Sequence, residues 1–560
     1  MSTLPGFRAL AALRPTSGDV RDPLLERSGP DVCWTRINVA EAAPGVLTPL
    51  AWSGFYRGPS EIAVMTGFAD LGVMPSRTAR HRHHDQRLLG CFYGRLSINV
   101  STLRSIMGGL PGTSGDDVER DILGSSRSGL TDESFGWRVP ALAARMPRHF
   151  VTNTGELDTL RRDIERWWRR HLGPDGVRDG HDPQRVFEDA LDWFCAAMRL
   201  HGRARLFCQA TQSQVATLAA DDPALTGQLL AGCGDMEETA VADGIWKLAR
   251  NQLTMDQFQS RFGFHGPDVG NVASHSWREN PAPVERLLDR YAQLADEQRP
   301  AKRAAGVVEQ RRRAQTRLLA GLRGPRRITA DLLLRSAPRF VRDLQRGKAA
   351  YLIALDAARG AARSYGRILA ERRVLADPED IFHLTAEEIL EPLAGDVAEL
   401  IAYRRQRHEH YRTLICPETW IGAPTATTAV TDRGERRGEI SGLEISGLGV
   451  SGGVVEGTAR IVLDPADAGP IEDDDILVCP VTDPSWVSYM AICAGLVIDI
   501  GSSASHGALI ARELGIPCVI NTSTGTRDLR TGDRIRINGD SGAVQILSQH
   551  PPAAPAGAPG

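Results

Sequence analysis

The spacing of apolar residues divides the chain into two regions of different periodicity. Across residues 31–416, apolar positions recur at three- and four-residue intervals, as in Val186–Met198 and Phe340–Leu369. One face of an α-helix collects residues at this spacing. The pattern therefore predicts a large, mostly helical domain, interrupted by Gly- and Pro-containing loops.

The last part of the chain is built from short apolar runs separated by turn signals. Asp464-Pro465 and Asn538-Gly539 are two of these signals, which are typical of connections between strands. The runs are Val454–Leu463, Ile476–Val481, Leu496–Ile500, Cys518–Asn521, Arg534–Ile537 and Ala543–Leu547. A single helical pattern, Ser505 to Leu514, lies among them. Residues 448–548 are thus predicted to form a compact α/β domain, and the fold class is multidomain α plus α/β.

Three segments lack a clear periodic pattern. Residues 417–447 are rich in Thr, Gly and Ser and repeat the letters ISGL, so they predict a flexible linker. The polar, Pro-rich residues 1–30 predict a partly disordered lead-in. The Pro-, Ala- and Gly-rich residues 549–560 predict a disordered tail.

Composition narrows the class of protein. A chain of 560 residues is too long for one hydrophobic core. Its 66 basic and 69 acidic residues give a net charge of -3, which favours neither a nucleic-acid nor a membrane partner. No apolar run approaches the roughly 20 residues that span a bilayer. Nine cysteines without CxxC spacing indicate reduced, buried thiols. These features predict a cytoplasmic protein.

Two local clusters permit more than one interpretation. The arginine-rich stretch 302–327, which includes Arg311–Arg313, could bind nucleic acid or form a solvated helix face. Acidic neighbours and the absence of aromatic residues favour the helix face. His81, His83 and His84 could bind a metal or lie in an exposed loop. Because no partner motif follows them, the loop is favoured and no metal site is predicted.

His506 occupies a chemically distinctive position in the last domain. A buried strand, 496–500, ends in a turn of small residues at 501–504. Ser505 is a good N-cap residue, and Gly515 is typical of a helix C-terminus. His506 should therefore lie in the first turn of a short helix.

That position predicts both charge state and reactivity. The first turn of a helix presents unpaired N–H groups and a partial positive charge, which favour a phosphate and disfavour an imidazolium. His506 is expected to be neutral and nucleophilic, and able to form a phosphoramidate intermediate. From position alone, a histidine that merely closes a turn is the alternative.

The residues around His506 resemble the phosphohistidine domain of the phosphoenolpyruvate-utilising enzymes. The similarity extends weakly to the helical region, and it is greatest to the rifampin phosphotransferases. In the last domain it rests on Ser505–Ala508, Ala511–Pro517, Thr482–Trp486, Thr531–Asp533 and Asn538–Gly542. In the helical region it rests on Trp34–Val39, Leu110–Asp116, His265–Pro267, Trp277–Glu279 and Asp380–Thr385. The resemblance spans about residues 31–548 and implies a swivelling β/β/α domain.

The resemblance implies roles for residues of the histidine domain. His506 would carry the phosphoryl group, and Ser505 would cap the helix and contact phosphate, with capping alone as the alternative. Arg512 would bind phosphate or a partner surface, or form a structural salt bridge. Asp483 and Trp486 match a family turn that is expected to pack beside the histidine loop.

The resemblance also implies candidates on the helical side. Lys348 falls in register with a family lysine, whereas Leu344 stands where the family has an arginine. Arg342 or Arg346 is expected to substitute for that arginine. His265 and Arg278 are substrate-side candidates, with a core histidine and a surface ion pair as the alternatives.

The implied activity is a phosphoryl relay from His506 to a hydroxyl of a small molecule. Only about 30 residues precede Trp34, so we expect a separate ATP-grasp subunit, which would bind ATP and Mg²⁺, to charge the histidine. No barrel that handles phosphoenolpyruvate is expected after the histidine domain. The alternative is a non-phosphorylating enzyme, of dehydratase or condensation type, or a ligand-binding protein built on the same domains.

Overall fold

The structure is a computed structural model with two parts, a large helical region and a C-terminal mixed sheet. It describes residues 19–37, 39, 42–43, 45–76, 78, 84–108, 114–132, 136–220, 222–234, 236–391, 395–428, 444–464, 469, 471–482, 486–501 and 505–549. The predicted fold class is confirmed.

Helices dominate the first part. The α-helices are α1 Pro49–Ala51, α2 Glu61–Asp70, α3 Val100–Met107, α4 Gly115–Leu123, α5 Val139–His171, α6 Pro183–Leu218, α7 Pro223–Leu230, α8 Glu237–Leu248, α9 Met255–Phe262, α10 Ala282–Gln293, α11 Pro300–Ala320, α12 Gly324–Glu371, α13 Ala386–Leu390, α14 Val397–Arg412, α15 Val487–Met490, α16 His506–Leu514 and α17 Gly525–Asp528. A π-helix, Trp52–Ser60, joins α1 to α2. None of the described helices is both long and apolar enough to cross a membrane.

The two longest helices form the centre of the helical core. Along α12, a helix of 48 residues, Ala357, Ala358 and Ala361 are fully buried. Such small side chains allow neighbouring helices to approach closely. The buried aromatic residues Phe187 and Phe194 of α6 belong to the same apolar cluster. Both helical stretches that the periodicity predicted are therefore confirmed.

The helical region also contains a small sheet that the sequence analysis did not predict. The strands of the chain are β1 Cys33–Thr35, β2 Leu89–Phe92, β3 Arg95–Asn99, β4 Leu172–Gly173, β5 Gly176–Val177, β6 Leu414–Ile415, β7 Thr419–Ile421, β8 Thr427–Thr428, β9 Glu444–Ser446, β10 Leu448–Ser451, β11 Val454–Ile461, β12 Asp475–Cys479, β13 Gly495–Ile498, β14 Cys518–Ile520, β15 Arg534–Asn538 and β16 Ala543–Ser548. The small sheet has the order β2-β3-β1-β7.

The prediction of a linker at 417–447 is wrong for its described ends. Strand β7 pairs with β1, with Trp420 opposite Trp34, and only Trp420 of its three residues is buried. At the other end, β9 pairs with β16 and joins the large sheet. Backbone pairing and one buried tryptophan outweigh the flexible composition in these places. Residues 429–443 lie outside the described residues.

The C-terminal domain is an eight-stranded mixed sheet in the order β10-β14-β13-β12-β11-β15-β16-β9. Strands β11, β12, β13 and β14 run parallel to their neighbours in this series. Helix α16 connects β13 to β14, so its first residue follows the carboxyl end of a central parallel strand. Ligands of open α/β sheets bind at this end of the strands.

The two parts pack against each other through a shared apolar cluster. Trp246 on α8 and Leu287 on α10 belong to it, together with Val487 and Ile492 of the C-terminal domain. The buried hydroxyl of Tyr291 donates a hydrogen bond to the Ser488 carbonyl oxygen at 2.9 Å. The histidine domain is therefore docked on the helical region in this structure.

Buried thiols are distributed over both parts. All nine cysteines are buried and none forms a disulfide, as predicted.

Among the arginines of 302–327, Arg313 is exposed and forms an ion pair with Glu309 at 3.1 Å. This pair agrees with a solvated helix face at that position.

Candidate functional site

His506 is the first residue of helix α16, as the sequence predicts. The Ser505 side chain accepts a hydrogen bond from the Ala508 backbone N–H at 3.3 Å, which is the geometry of an N-cap. A Cβ at Gly507 would lie 2.5 Å from Ile498 Cδ1 and 2.8 Å from Thr482 Oγ1, so a larger residue would force these side chains to move. Gly515 ends the helix with a left-handed φ of 65°.

The His506 ring faces the helical region rather than the interior of its own domain. Its Nδ1 lies 3.0 Å from Lys348 Nζ, and 3.7 Å from Glu238 Oε1. Lys348 Nζ is in turn 3.9 Å from Glu238 Oε1. Three ionisable groups from α8, α12 and α16 thus meet at the junction. We call Lys348, Glu238 and His506 the junction cluster.

The 3.0 Å contact fixes how protons are shared in this cluster. A lysine ammonium can only donate hydrogen bonds, so Nδ1 must accept and the imidazole must be neutral when Lys348 is charged. Burial raises the pKa of the Glu238 carboxyl, and the nearby Lys348 opposes that rise. His506 is only 7% exposed, so these charges interact in a largely water-free environment.

A second buried group of ionisable residues lies beside the junction cluster. Glu237 forms an ion pair with Arg161 at 3.1 Å, and His265 Nε2 is 3.9 Å from the same carboxylate oxygen. Burial opposes ionisation of Glu237, but Arg161 and His265 outweigh it and lower its pKa to about 2. Burial lowers the pKa of His265. His265 thus has the surroundings of a core histidine held against a charged glutamate.

The other candidates of the histidine domain are engaged in docking and packing. Arg512 is buried, and its Nε donates to the Val450 carbonyl oxygen at 2.9 Å. Glu513 accepts from the Cys233 backbone N–H at 2.8 and 3.1 Å, which ties α16 to the helical region. Trp486 is buried in the shared apolar cluster, whereas Asp483 lies outside the described residues.

The structure places Arg278 in a buried ion pair. Its guanidinium donates to both oxygens of Asp356 at 2.9 and 3.2 Å and to the Gly173 carbonyl oxygen at 2.6 Å. Both partners are almost fully inaccessible. The alternative of a surface ion pair is therefore wrong, because the pair lies in the helical core.

The described contacts of the two arginines expected to replace the family arginine lie elsewhere. Arg342 donates to the Cys233 carbonyl oxygen at 2.8 Å. Arg346 lies 3.4 Å from Asp158 and 3.7 Å from Asp343. Leu344 itself is buried in an apolar cluster. Lys348 is therefore the helical-side cation whose contact with His506 the structure shows.

The described residues contain no candidate metal site. In the described ranges, no group of three or more His, Cys, Asp or Glu side chains could hold a metal ion. His84 Nε2 lies 3.1 Å from Asp85 in a short 3₁₀ turn, while His81 and His83 fall outside the described residues.

Sequence reasoning missed Glu238. Its carboxylate is 3% exposed, and its Oε2 has no hydrogen-bond partner among the described residues. A pair of acids in the first turn of a helix ordinarily indicates favourable interaction with the helix dipole. The available signal was therefore weak, and only packing against α12 and α16 reveals the position of this residue.

The arrangement defines a class of protein: an α/β domain with a histidine at a helix N-terminus, docked against a partly buried lysine and a buried glutamate of a helical region. Comparison with known proteins agrees. Residues 471–542 match the mobile domain of PEP-utilising enzymes, and residues 251–346 match the fourth domain of rifampicin phosphotransferase. The predicted resemblance to these enzymes is confirmed.

Individual relatives cover only part of the chain. A rifampicin phosphotransferase of Streptomyces sviceus is 40% identical over 32% of this chain and 20% of its own length. An uncharacterized protein of Mycobacterium tuberculosis is 28% identical over 52% of this chain and 31% of its own length. The chain thus spans between a fifth and a third of the length of these curated relatives. The holo-form crystal structure of Thermococcus kodakaraensis aconitase X covers 19% of the chain at 23% identity, with a TM-score of 0.17.

Proposed function

We propose that this protein relays a phosphoryl group through His506 to a hydroxyl of a small molecule bound by the helical region. A separate ATP-grasp subunit charges the histidine, and ATP with Mg²⁺ binds to that subunit. The observation that carries the proposal is the 3.0 Å contact between His506 at the start of α16 and Lys348.

The first step forms a phosphoramidate. A neutral imidazole nitrogen attacks the donor phosphorus, the P–N bond forms, and the P–O bond of the donor breaks. The N-terminal end of α16 supports this step, since its N–H groups and partial positive charge favour the phosphoryl oxygens. The contact with Lys348 supports it further, because that contact requires an uncharged ring when the lysine is protonated.

The second step takes place at the docked position. The hydroxyl oxygen attacks phosphorus and gives up its proton to a base, the P–N bond breaks, and the electron pair returns to the imidazole. Lys348 is 19% exposed and close enough to neutralise charge on the transferring oxygens. Several relatives are named phosphotransferases, which favours this chemistry over dehydration or condensation.

Labelling tests the proposal. The protein is incubated with an ATP-grasp protein encoded beside it and with ATP labelled at the β- or γ-phosphate. Potassium phosphoramidate serves as a donor that needs no partner. We expect one acid-labile, alkali-stable label on the wild-type protein and none on His506→Ala.

His410→Ala is the matched control, because His410 is an exposed histidine at the end of α14 and far along the chain from α16. It should retain full labelling. Absence of label from both donors, or equal labelling of His506→Ala, would exclude the relay and favour a non-phosphorylating protein.

A further inference from the structure

Glu238 is almost fully buried, yet only one of its two carboxylate oxygens has a charged neighbour within 4 Å among the described residues. It is 3% exposed, and Oε2 lacks a hydrogen-bond partner among the described residues. A buried carboxylate oxygen left in this state costs free energy, so native proteins seldom keep one without a reason. Glu237, its neighbour, is by contrast paired with Arg161.

Position gives Glu238 access to the reacting group. Oε1 lies 3.7 Å from a ring nitrogen of His506 and 3.9 Å from Lys348 Nζ. A phosphoryl group on the ring edge that faces the helical region would take the place of the present contact between His506 and Lys348. A hydroxyl that approaches this phosphorus then comes between the lysine and the glutamate.

We propose that Glu238 is the general base that accepts the proton of the attacking hydroxyl. This inference rests on the phosphoryl relay proposed above and names the residue that completes its second step. The oxygen–phosphorus bond forms, the phosphorus–nitrogen bond to His506 breaks, and the hydroxyl proton moves to the carboxylate. The proton is later released to water.

The charges around Glu238 suit this task. Helix α8 contributes the Glu237 charge, α12 contributes Lys348, and α16 contributes His506 and the buried Glu513. Burial raises the pKa of the Glu238 carboxyl, and a base is most effective when its pKa is close to the working pH. The nearby Lys348 opposes this rise.

The lifetime of phosphorylated His506 tests this assignment. The full chain is labelled with phosphoramidate, freed of donor, and incubated with water alone, with glycerol or with phenol. A general base contributes roughly 10²- to 10⁴-fold. Glu238→Gln should therefore lengthen the lifetime by at least about tenfold, and Glu238→Asp should restore part of the rate.

Two comparisons separate a base from a structural residue. Glu285→Gln, an exposed acid on helix α10, should leave the lifetime unchanged. With 4-nitrophenol at mildly alkaline pH, the acceptor is already ionised and needs no base. The Glu238→Gln defect should then be much smaller than with phenol.

The measured lifetimes distinguish a general base from a structural residue. Lifetimes of wild type and Glu238→Gln within twofold of each other in all acceptors would overturn the assignment while leaving the relay intact. Equal defects with phenol and 4-nitrophenol would assign Glu238 a structural role only. Failure of His506 to take label would overturn the relay and the assignment together.

Discussion

Helix α12 carries two groups of buried charges that differ in how completely they are satisfied. Asp356 accepts two hydrogen bonds from Arg278 and one from Trp168 Nε1 at 2.8 Å. Lys348 lies eight residues earlier, about 12 Å along the helix, and contacts His506 and Glu238. In the junction cluster the distances to Glu238 exceed hydrogen-bonding range.

The difference agrees with the roles proposed for the two groups. The Asp356 carboxylate joins α12 to the Arg278 segment and to α5, and it has no need to change partners. The junction cluster lies between two domains, and a relay requires its partners to separate and to make room for a phosphoryl group. Incomplete satisfaction of buried charges is thus the feature that distinguishes the candidate site from the scaffold.

The largest expected effect is on stability, through the hydrogen-bonded group of Asp356 and Arg278. Asp356→Ala leaves Arg278 buried without its carboxylate, and breaking a buried pair in this way costs about 3–5 kcal/mol of the free energy of unfolding. Urea denaturation of the helical region measures it. Glu379→Ala removes a half-exposed partner of Arg363 and should cost about 1 kcal/mol or less. Equal losses in the two variants would contradict the comparison.

The next largest effect is on the rate of phosphoryl transfer rather than on the stability of the fold. Lys348→Met removes the cation nearest His506 and should slow loss of the phosphoryl group to phenol by about 10²- to 10³-fold, as removal of a charge-stabilising donor does. The midpoint of thermal unfolding should change little. Lys247→Met, on the exposed side of α8, is the control with an unchanged rate. A large drop in stability without a rate defect would place Lys348 in the scaffold instead.

The sequence predicts one side of this site and not the other. The capped helix of His506 follows from local signals, Ser505 before it and Gly515 after it, and both are confirmed. Lys348 was found only through a family resemblance, because it lies 158 positions from His506 along the chain. No local pattern distinguishes Glu238 from an ordinary helix-starting acid, since its role depends on tertiary packing.

The same limit explains the missed strands. Strand β9 lies at the end of the Gly-, Ser- and Thr-rich segment 417–447 and β10 directly after it, where composition indicates flexibility. Their order comes from pairing with β16 and β14, which are about a hundred residues or fewer further on but not adjacent in sequence. Composition indicates how a segment behaves in isolation, whereas these two segments are ordered by pairing with distant strands.

The neighbouring acids Glu237 and Glu238 of α8 should differ in how their contributions to stability depend on pH. The pKa of Glu237 is lowered to about 2, so its charge stabilises the fold above its ordinary pKa of 4.5, and this stabilisation is lost as the pH falls through 2. The pKa of Glu238 is raised, so its contribution is complete below 4.5 and is lost as the pH rises.

Glutamine substitution should therefore act in opposite directions at neutral pH. Glu237→Gln should lower the free energy of unfolding by roughly 3 kcal/mol, whereas Glu238→Gln should raise it slightly. The gain in Glu238→Gln should disappear as the pH falls below 4.5. Thermal unfolding across pH measures both, and a stability loss in Glu238→Gln at neutral pH would show that its carboxylate is satisfied after all.

The smallest expected effect is on the docking of the histidine domain against the helical region. Tyr291→Phe removes a hydrogen bond of 2.9 Å to the Ser488 carbonyl oxygen across the junction, which is worth about 1 kcal/mol. In the proposed relay the donor reaches His506 in an undocked arrangement, so this change should raise the undocked population, and with it the labelling rate at limiting partner, by about fivefold. Tyr365→Phe, on α12 and away from the junction, is the control. An unchanged labelling rate in Tyr291→Phe would mean that docking does not compete with charging, and that the loose contacts of the junction cluster serve the transfer step alone.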